Sequence, residues 1–237
     1  MLRLGMLTPS SNTVLEPSTY AMLRDVPTVT AHFSRFRVTE IALDDSALGQ
    51  FDYQPILSAS QLLAHAKCDV IAWNGTSAGW LGFDRDEELV RRIEKNTGVR
   101  AATCVLGYRM LVQRLGLKNI GLVSPYIDDV QERIIANWGN AGLKIGAERH
   151  SELADNFSFS TLTEDQISRT VREVAASGCD SVVILCTNMR GAAPAAKLEA
   201  ELGIPVLDSV AVTLWAALDA VGSDKTAFLK WGRMFGI

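Results

Sequence analysis

The 237-residue chain has no apolar run of membrane-spanning length. Its opening, Met1-Leu2-Arg3-Leu4-Gly5, runs straight into a strand-like segment without a signal-peptide layout. No membrane partner and a cytoplasmic location are expected. Blocks of one charge are also missing. The 23 Lys and Arg residues are scattered among 27 Asp and Glu, for a formal net charge of −4, so no electrostatic footprint for nucleic acid exists. Histidines number only three and cysteines four, with no CxxC and no Cys–His pair at metal-ligand spacing. No metal is expected, and in a reducing compartment the cysteines read as thiols. Neither a GxGxxG nor a P-loop pattern occurs, so a nucleotide enzyme is not expected, and neither is any other cofactor.

What is present is an alternation of short apolar runs and amphipathic stretches. Leu4–Thr8, Val70–Trp73, Ile120–Ser124 and Val182–Cys186 read as buried strands. Gln54–Ala66, Arg85–Thr97, Asp129–Ala141 and Glu164–Ser177 read as helices, with Gly98 and Gly178 as stops. Strand–helix alternation predicts an α/β protein with parallel sheets covered by helices.

The chain also repeats itself. Leu4-Gly5-Met6-Leu7-Thr8-Pro9 matches Ile120-Gly121-Leu122-Val123-Ser124-Pro125. Cys68-Asp69-Val70-Ile71-Ala72-Trp73-Asn74-Gly75-Thr76-Ser77 matches Cys179-Asp180-Ser181-Val182-Val183-Ile184-Leu185-Cys186-Thr187-Asn188, and Thr97-Gly98-Val99 matches Leu202-Gly203-Ile204. Matches in the same order predict two pseudo-symmetric Rossmann-like (flavodoxin-like) halves, residues 1–115 completed by about 210–237, and residues 116–209. The active site is then expected in the cleft between them, where the strand C-terminal ends of open α/β sheets bind ligands.

Two twin loops would face that cleft, Gly75-Thr76-Ser77 and Cys186-Thr187-Asn188. Thr76, Ser77 and Tyr126, the last just after Pro125, supply hydroxyl donors suited to a carboxylate or to an enediolate. The Cys186 thiol can give or take a proton near the reacting carbon, although a buried structural cysteine is the plainer reading of a strand end. Cys68 and Cys179 precede their strands and read as structural, and Cys104 reads as packing. The asymmetry is informative: the twin of Cys186 is Gly75. A two-base racemase needs a group on each side of the carbon, whereas one thiol suits loss of CO₂ followed by protonation from one side. Trp73, Trp80 and Phe83 flank the Gly75 loop as pocket wall or core. Arg190 reads as a second carboxylate anchor or a solvated arginine, Asp128-Asp129 as helix caps, and Asp208 and Ser209 as a further cap.

At these residues the chain resembles the aspartate/glutamate racemase superfamily over essentially its whole length. Thr8-Pro9-Ser10-Ser11-Asn12-Thr13 with Glu16-Pro17, and Cys186-Thr187-Asn188-Met189-Arg190, are similar to maleate cis-trans isomerases and ectoine-utilisation proteins. Gly75-Thr76-Ser77, Tyr126-Ile127-Asp128-Asp129-Val130 with Glu132-Arg133, and Gly232-Arg233-Met234-Phe235 resemble arylmalonate decarboxylase. The decarboxylase resemblance implies a dioxyanion hole of Thr76, Ser77 and Tyr126, with Cys186 as the protonating group. The isomerase resemblance implies substrate carboxylates on Asn12 and Asn156, but it also places a nucleophilic cysteine where this chain has Gly75. The substrate-binding set so expected is Pro9, Ser10, Asn12, Gly75, Pro125, Asn156, Thr187 and Asn188. A cofactor-independent decarboxylase of a malonate-type diacid is the expected function. The alternatives are a maleate-isomerase-like or racemase-like isomerase and a non-catalytic carboxylate-binding protein. The partner is a small carboxylate or dicarboxylate, and assembly into a homo-oligomer stays open.

Overall fold

The computed structural model describes residues 1–43 and 49–237. Two four-stranded parallel sheets form its frame. The first contains β1 (Leu2–Pro9), β2 (Val29–Phe36), β3 (Val70–Trp73) and β4 (Arg100–Thr103) in the order β2-β1-β3-β4. The second contains β5 (Ile120–Ser124), β6 (Ile145–His150), β7 (Ser181–Ile184) and β8 (Val206–Asp208) in the order β6-β5-β7-β8. The same order in both sheets, with β1 twinned to β5 and β3 to β7, accounts for the sequence repeat.

The central strands are buried along their whole length, as strands covered on both faces must be. Helices α1 (Leu15–Leu23), α2 (Tyr53–His65), α3 (Ala78–Leu81), α4 (Phe83–Thr97) and α5 (Cys104–Leu115) accompany the first sheet. Helices α6 (Asp128–Asn140), α7 (Glu164–Ala175) and α8 (Ala192–Leu202) accompany the second. α7 shows why such segments are helical: a capping box of Thr163 and Gln166 starts it, and Ile167, Val171 and Val174 bury one face. α4 stops at Gly98, whose φ of 71° is a left-handed cap. Twin glycines let a helix lie close on each sheet. A Cβ on Gly5 would stand 3.2 Å from Leu63 of α2, and one on Gly121 2.5 Å from Val174 of α7.

The halves are joined by more than the chain crossing. α9 (Ser209–Ala220) follows β8 yet packs on β3, β4, α5 and α1. The buried Tyr108 hydroxyl of α5 donates within reach of Ile184 O (2.8 Å) and Leu207 O (3.2 Å) and meets Ser209 Oγ at 2.9 Å. Asn137 of α6 donates to Trp80 O of α3 at 2.7 Å. Among the described residues no helix is long and apolar enough to cross a membrane.

Candidate active site

Four loops at the C-terminal ends of β1, β3, β5 and β7 meet where the two sheets face each other. They carry Pro9 to Asn12, Asn74 to Ser77, Pro125–Tyr126 and Cys186 to Asn188. Cys186 sits two residues beyond the end of β7, on a loop, as the repeat predicts. Pro9, Gly75, Thr76, Ser77, Tyr126, Asn156, Cys186 and Thr187 all line one small cavity. Ser10, Asn12, Pro125 and Asn188 do not line it.

The residues outside the cavity hold the loops in place. Asn12 Oδ1 accepts from Val14 N (3.0 Å) and Leu15 N (2.9 Å) at the start of α1, while its Nδ2 donates to Thr187 Oγ1 at 3.0 Å. Thr187 Oγ1 in turn donates to Asn74 O at 3.0 Å, so one hydroxyl ties three loops. Asn188 Oδ1 accepts from Thr13 N (3.0 Å), and its Nδ2 donates to Asn156 O (2.6 Å). Asn156 Nδ2 donates to Ser11 Oγ at 2.7 Å. Ser10 is exposed and its hydroxyl bonds Val38 O; Pro125 O accepts from Leu153 N.

Thr76 Oγ1 and the Tyr126 hydroxyl are 2.6 Å apart. The Tyr126 ring is fixed edge-on between Trp80 (5.2 Å) and Phe159 (5.5 Å). Burial lifts the Tyr126 phenol well above its usual range, so it stays a donor. Within the described residues, the amide N–H groups of Gly75, Thr76 and Ser77 donate to no protein acceptor. Together with the two hydroxyls they form a donor-rich patch able to receive an anion. The helix that follows, α3, is a single turn, so its dipole adds little.

Cys186 is 3% exposed. Burial pushes its thiol up to about 12, against weaker opposing hydrogen bonds from Asn188 N–H (3.3 Å to Sγ) and the Tyr126 hydroxyl. The group is a neutral acid at physiological pH. Among the described residues that line the cavity, Cys186 and Tyr126 alone are titratable, and none is Lys, Arg or His.

Among the described residues the rest of the wall is apolar: Val38, Ile41, Phe51, Trp73 and Trp80. The two tryptophans were candidates from sequence. Val38, Ile41 and Phe51, from the stretch after β2, were missed. That stretch touches the second half through Ile41 N–H to Ala154 O (2.9 Å) and Asn156 N–H to Thr39 O (3.0 Å). Its sequence signal is a strand-like alternation through Val38 and the short apolar triplet Ile41-Ala42-Leu43. The cavity is small, about 20 Å³, room for a single water.

Arg190 is exposed, donates to Ser160 O at 3.2 Å and lies outside the cavity. Phe83 packs against Trp138 and does not line it. Cys104 is buried and donates to Ser209 O, and Cys68 and Cys179 are buried at the far ends of their strands. Asp128 and Asp129 are not the cap of α6; Ile127 holds that position in extended conformation, and both aspartates lie in the first turn. Asp208 does cap α9, accepting from Val210 N (2.8 Å) and Ala211 N (3.1 Å).

His150, isolated in sequence, has company in space. Its Nε2 is 2.9 Å from Asp128 Oδ1 and 2.9 Å from Glu152 Oε1, and its Nδ1 is 2.8 Å from Glu148 Oε2. Among the described residues, Asp128, His150 and Glu152 are the one group whose ligand atoms could converge on a cation. They lie outside the cavity lining, and their mutual hydrogen bonds already account for their positions. The cluster braces the Tyr126 loop, whose carbonyl accepts from Glu152 N at 3.2 Å.

Known proteins share this architecture. The family model described as arylmalonate decarboxylase matches residues 12–235. A maleate isomerase of Geobacillus stearothermophilus is 26% identical over 232 residues, covering 92% of this chain and 91% of that protein. An arylmalonate decarboxylase of Bordetella bronchiseptica is 22% identical over 235 residues, covering 98% and 95%. The solved Nocardia farcinica maleate cis-trans isomerase bound to TRIS superposes with a TM-score of 0.89 at 22% identity, over 99% of this chain and 98% of that one.

Proposed function

The chain belongs to the arylmalonate decarboxylase family, and from that premise we propose that it is a cofactor-free enzyme of small dicarboxylates in which Cys186 protonates the carbon beside a carboxylate held by Thr76, Ser77 and Tyr126. Decarboxylation of a substituted malonate is the reaction the geometry supports best. The observation that carries it is the make-up of the cavity among the described residues: neutral donors, one protonated thiol, and an otherwise apolar wall without a cation.

Each part has a task. One carboxylate sits on the donor patch. The other lies against the apolar wall, where an unpaired charge is costly and its loss as neutral CO₂ relieves the cost. The C–C bond breaks, its electron pair stays on the α-carbon as an enediolate, and Thr76, Ser77 and Tyr126 stabilise the oxygens. One such donor is worth about 3–4 kcal/mol in the transition state. Cys186 then gives its proton to the carbon, and the thiolate regains one from solvent. A thiol held near 12 enters this cycle as an acid, not as a nucleophile.

Isomerisation of a maleate-type diacid is the second reading. It is favoured by the relatives' names, since the Geobacillus maleate isomerase is 26% identical and the Bordetella decarboxylase 22%. On names alone it outweighs decarboxylation. Incubation with phenylmalonate and with maleate in metal-free buffer separates the two. CO₂ from the malonate supports the first reading. Fumarate from maleate without CO₂ from any malonate overturns it in favour of the second.

A further inference from the structure

The repeat pairs Cys186 with Gly75, and it also pairs Trp73 with Ile184. Both members of the second pair are buried at the end of their strand, Trp73 at 1% and Ile184 at 0% exposure. They differ in reach. A Cβ placed on Gly75 would stand 2.6 Å from Trp73 Cη2 and nearer still to Cζ2 and Cε2. The benzo ring of the indole therefore occupies the volume into which any side chain at position 75 would project. That ring cannot swing aside cheaply, because it packs against Phe36 with centroids 5.1 Å apart. Ile184, its twin, leaves Cys186 its place in the cavity lining.

We propose that Trp73 is the residue that makes the site one-sided: its indole fills the twin position of the Cys186 thiol, so protons reach the substrate carbon from the Cys186 side alone. This rests on the proton-delivery reading above. It goes beyond the absence of a cysteine at position 75, because it says that a cysteine restored there stays unusable until Trp73 shrinks. Exchanging Trp73 for its twin residue, isoleucine, opens the volume. In a Trp73→Ile/Gly75→Cys variant the new thiolate can accept a proton from the product's α-carbon while Cys186 donates one to the other side. One C–H bond breaks and another forms, and both thiol groups return to their starting charge by exchange with solvent.

Four proteins decide it: the wild type, Gly75→Cys, Trp73→Ile, and the double variant. The first measurement is thermal melting, which needs no substrate. Gly75→Cys overpacks the cavity and melts about 5 °C or more below the wild type, or fails to fold, while the double variant melts within about 2 °C of Trp73→Ile. The second is the reaction of methylphenylmalonate, a prochiral malonate, in D₂O. The wild type gives one enantiomer of the monoacid with no further exchange, and Trp73→Ile, slower because part of the apolar wall is lost, still gives one enantiomer with no further exchange. The double variant gives product whose enantiomeric excess decays and whose recovered monoacid gains α-deuterium at least tenfold faster than with the wild type. The proposal is overturned if Gly75→Cys melts with the wild type, or if a stable double variant still gives one enantiomer without wash-in. Should the wild type turn over no malonate, the decarboxylase reading fails, and the melting series still decides whether Trp73 holds the twin position.

Discussion

Replacing Thr187 by valine tests the seam that places Cys186. The side chains are nearly isosteric, so the change removes one hydroxyl and little volume. That hydroxyl donates to Asn74 O and accepts from Asn12 Nδ2, both at 3.0 Å. All three residues are buried: Thr187 is 4% exposed, Asn12 1% and Asn74 0%. Two groups are thus left buried without a partner, at about 1–3 kcal/mol each. The sum, about 2–6 kcal/mol, is a large part of an ordinary domain's stability. For a chain of this size it lowers Tm on the order of 10 °C. The control is Thr187→Ser, which keeps the hydroxyl and loses a methyl at a cost of about 1 kcal/mol. Differential scanning calorimetry at one pH reads both. If valine and serine variants melt together, the hydroxyl does not bridge the loops and the account of Cys186 placement is wrong.

Cys186→Ala removes the acid and is expected to cut turnover by about 10²–10⁴-fold with little change in Tm, which steady-state kinetics and melting check side by side. Tyr126→Phe is expected to lose about 10²–10³-fold in kcat, and an unchanged kcat would remove the phenol from the anion cradle. His150 sits where burial lowers its pKa, but hydrogen bonds to Glu148, Glu152 and Asp128 outweigh burial and raise it. A raised folded pKa adds stability that is complete below the unfolded value of about 6.5 and is lost as pH rises through the folded value. Tm of the wild type should therefore fall across that rise more than Tm of His150→Gln, and parallel curves would refute the linkage. Ile41→Lys puts a cation into the cavity wall and is expected to tighten binding of a malonate while lowering kcat about tenfold or more, because a paired leaving carboxylate is held by about 1.5–3 kcal/mol. A higher kcat in that variant would contradict the apolar-wall account.

The fold was legible because its repeat lies in the strands. Fully buried parallel strands must be apolar runs, and β1, β3, β5 and β7 are. The strand-end loops were legible for the same reason, which is why Gly75, Thr76, Ser77, Tyr126 and Cys186 converge as expected. What escaped was anything set by contact across the two halves. Asn12 and Asn188 carry amides that suit a carboxylate equally well, but their groups are committed to Val14, Leu15, Thr187, Thr13 and Asn156 O. Val38, Ile41 and Phe51 lie in a stretch of mixed character, where Val38 continues the alternation of β2 and Ile41 opens a short apolar triplet, so nothing local marks them as wall rather than ordinary core. Asp128 and Asp129 resemble caps by composition, but the backbone enters α6 one residue earlier, at Ile127. The identity of Trp73 was visible and its reach over Gly75 was not, because reach depends on a rotamer.

The cavity wall also bears on the choice between the two reactions. An isomerase begins and ends with two carboxylates, and each needs donors throughout the cycle. A decarboxylase needs donors for one carboxylate only, and it gains when the other is poorly solvated. The donors near Cys186 are not equally available. Thr76 and Tyr126 satisfy each other at 2.6 Å and can turn toward an incoming anion together. Thr187 is committed to Asn74, and the Asn156 amide donates to Ser11. The free N–H groups sit with Thr76 and Ser77, on the same patch. Supply is therefore concentrated at one carboxylate, and among the described residues the remaining lining offers the second only the apolar Val38, Ile41, Phe51, Trp73 and Trp80. A second carboxylate held there unpaired is a strained ground state. Departure of CO₂ relieves that strain, whereas rotation about a double bond leaves the charge where it was.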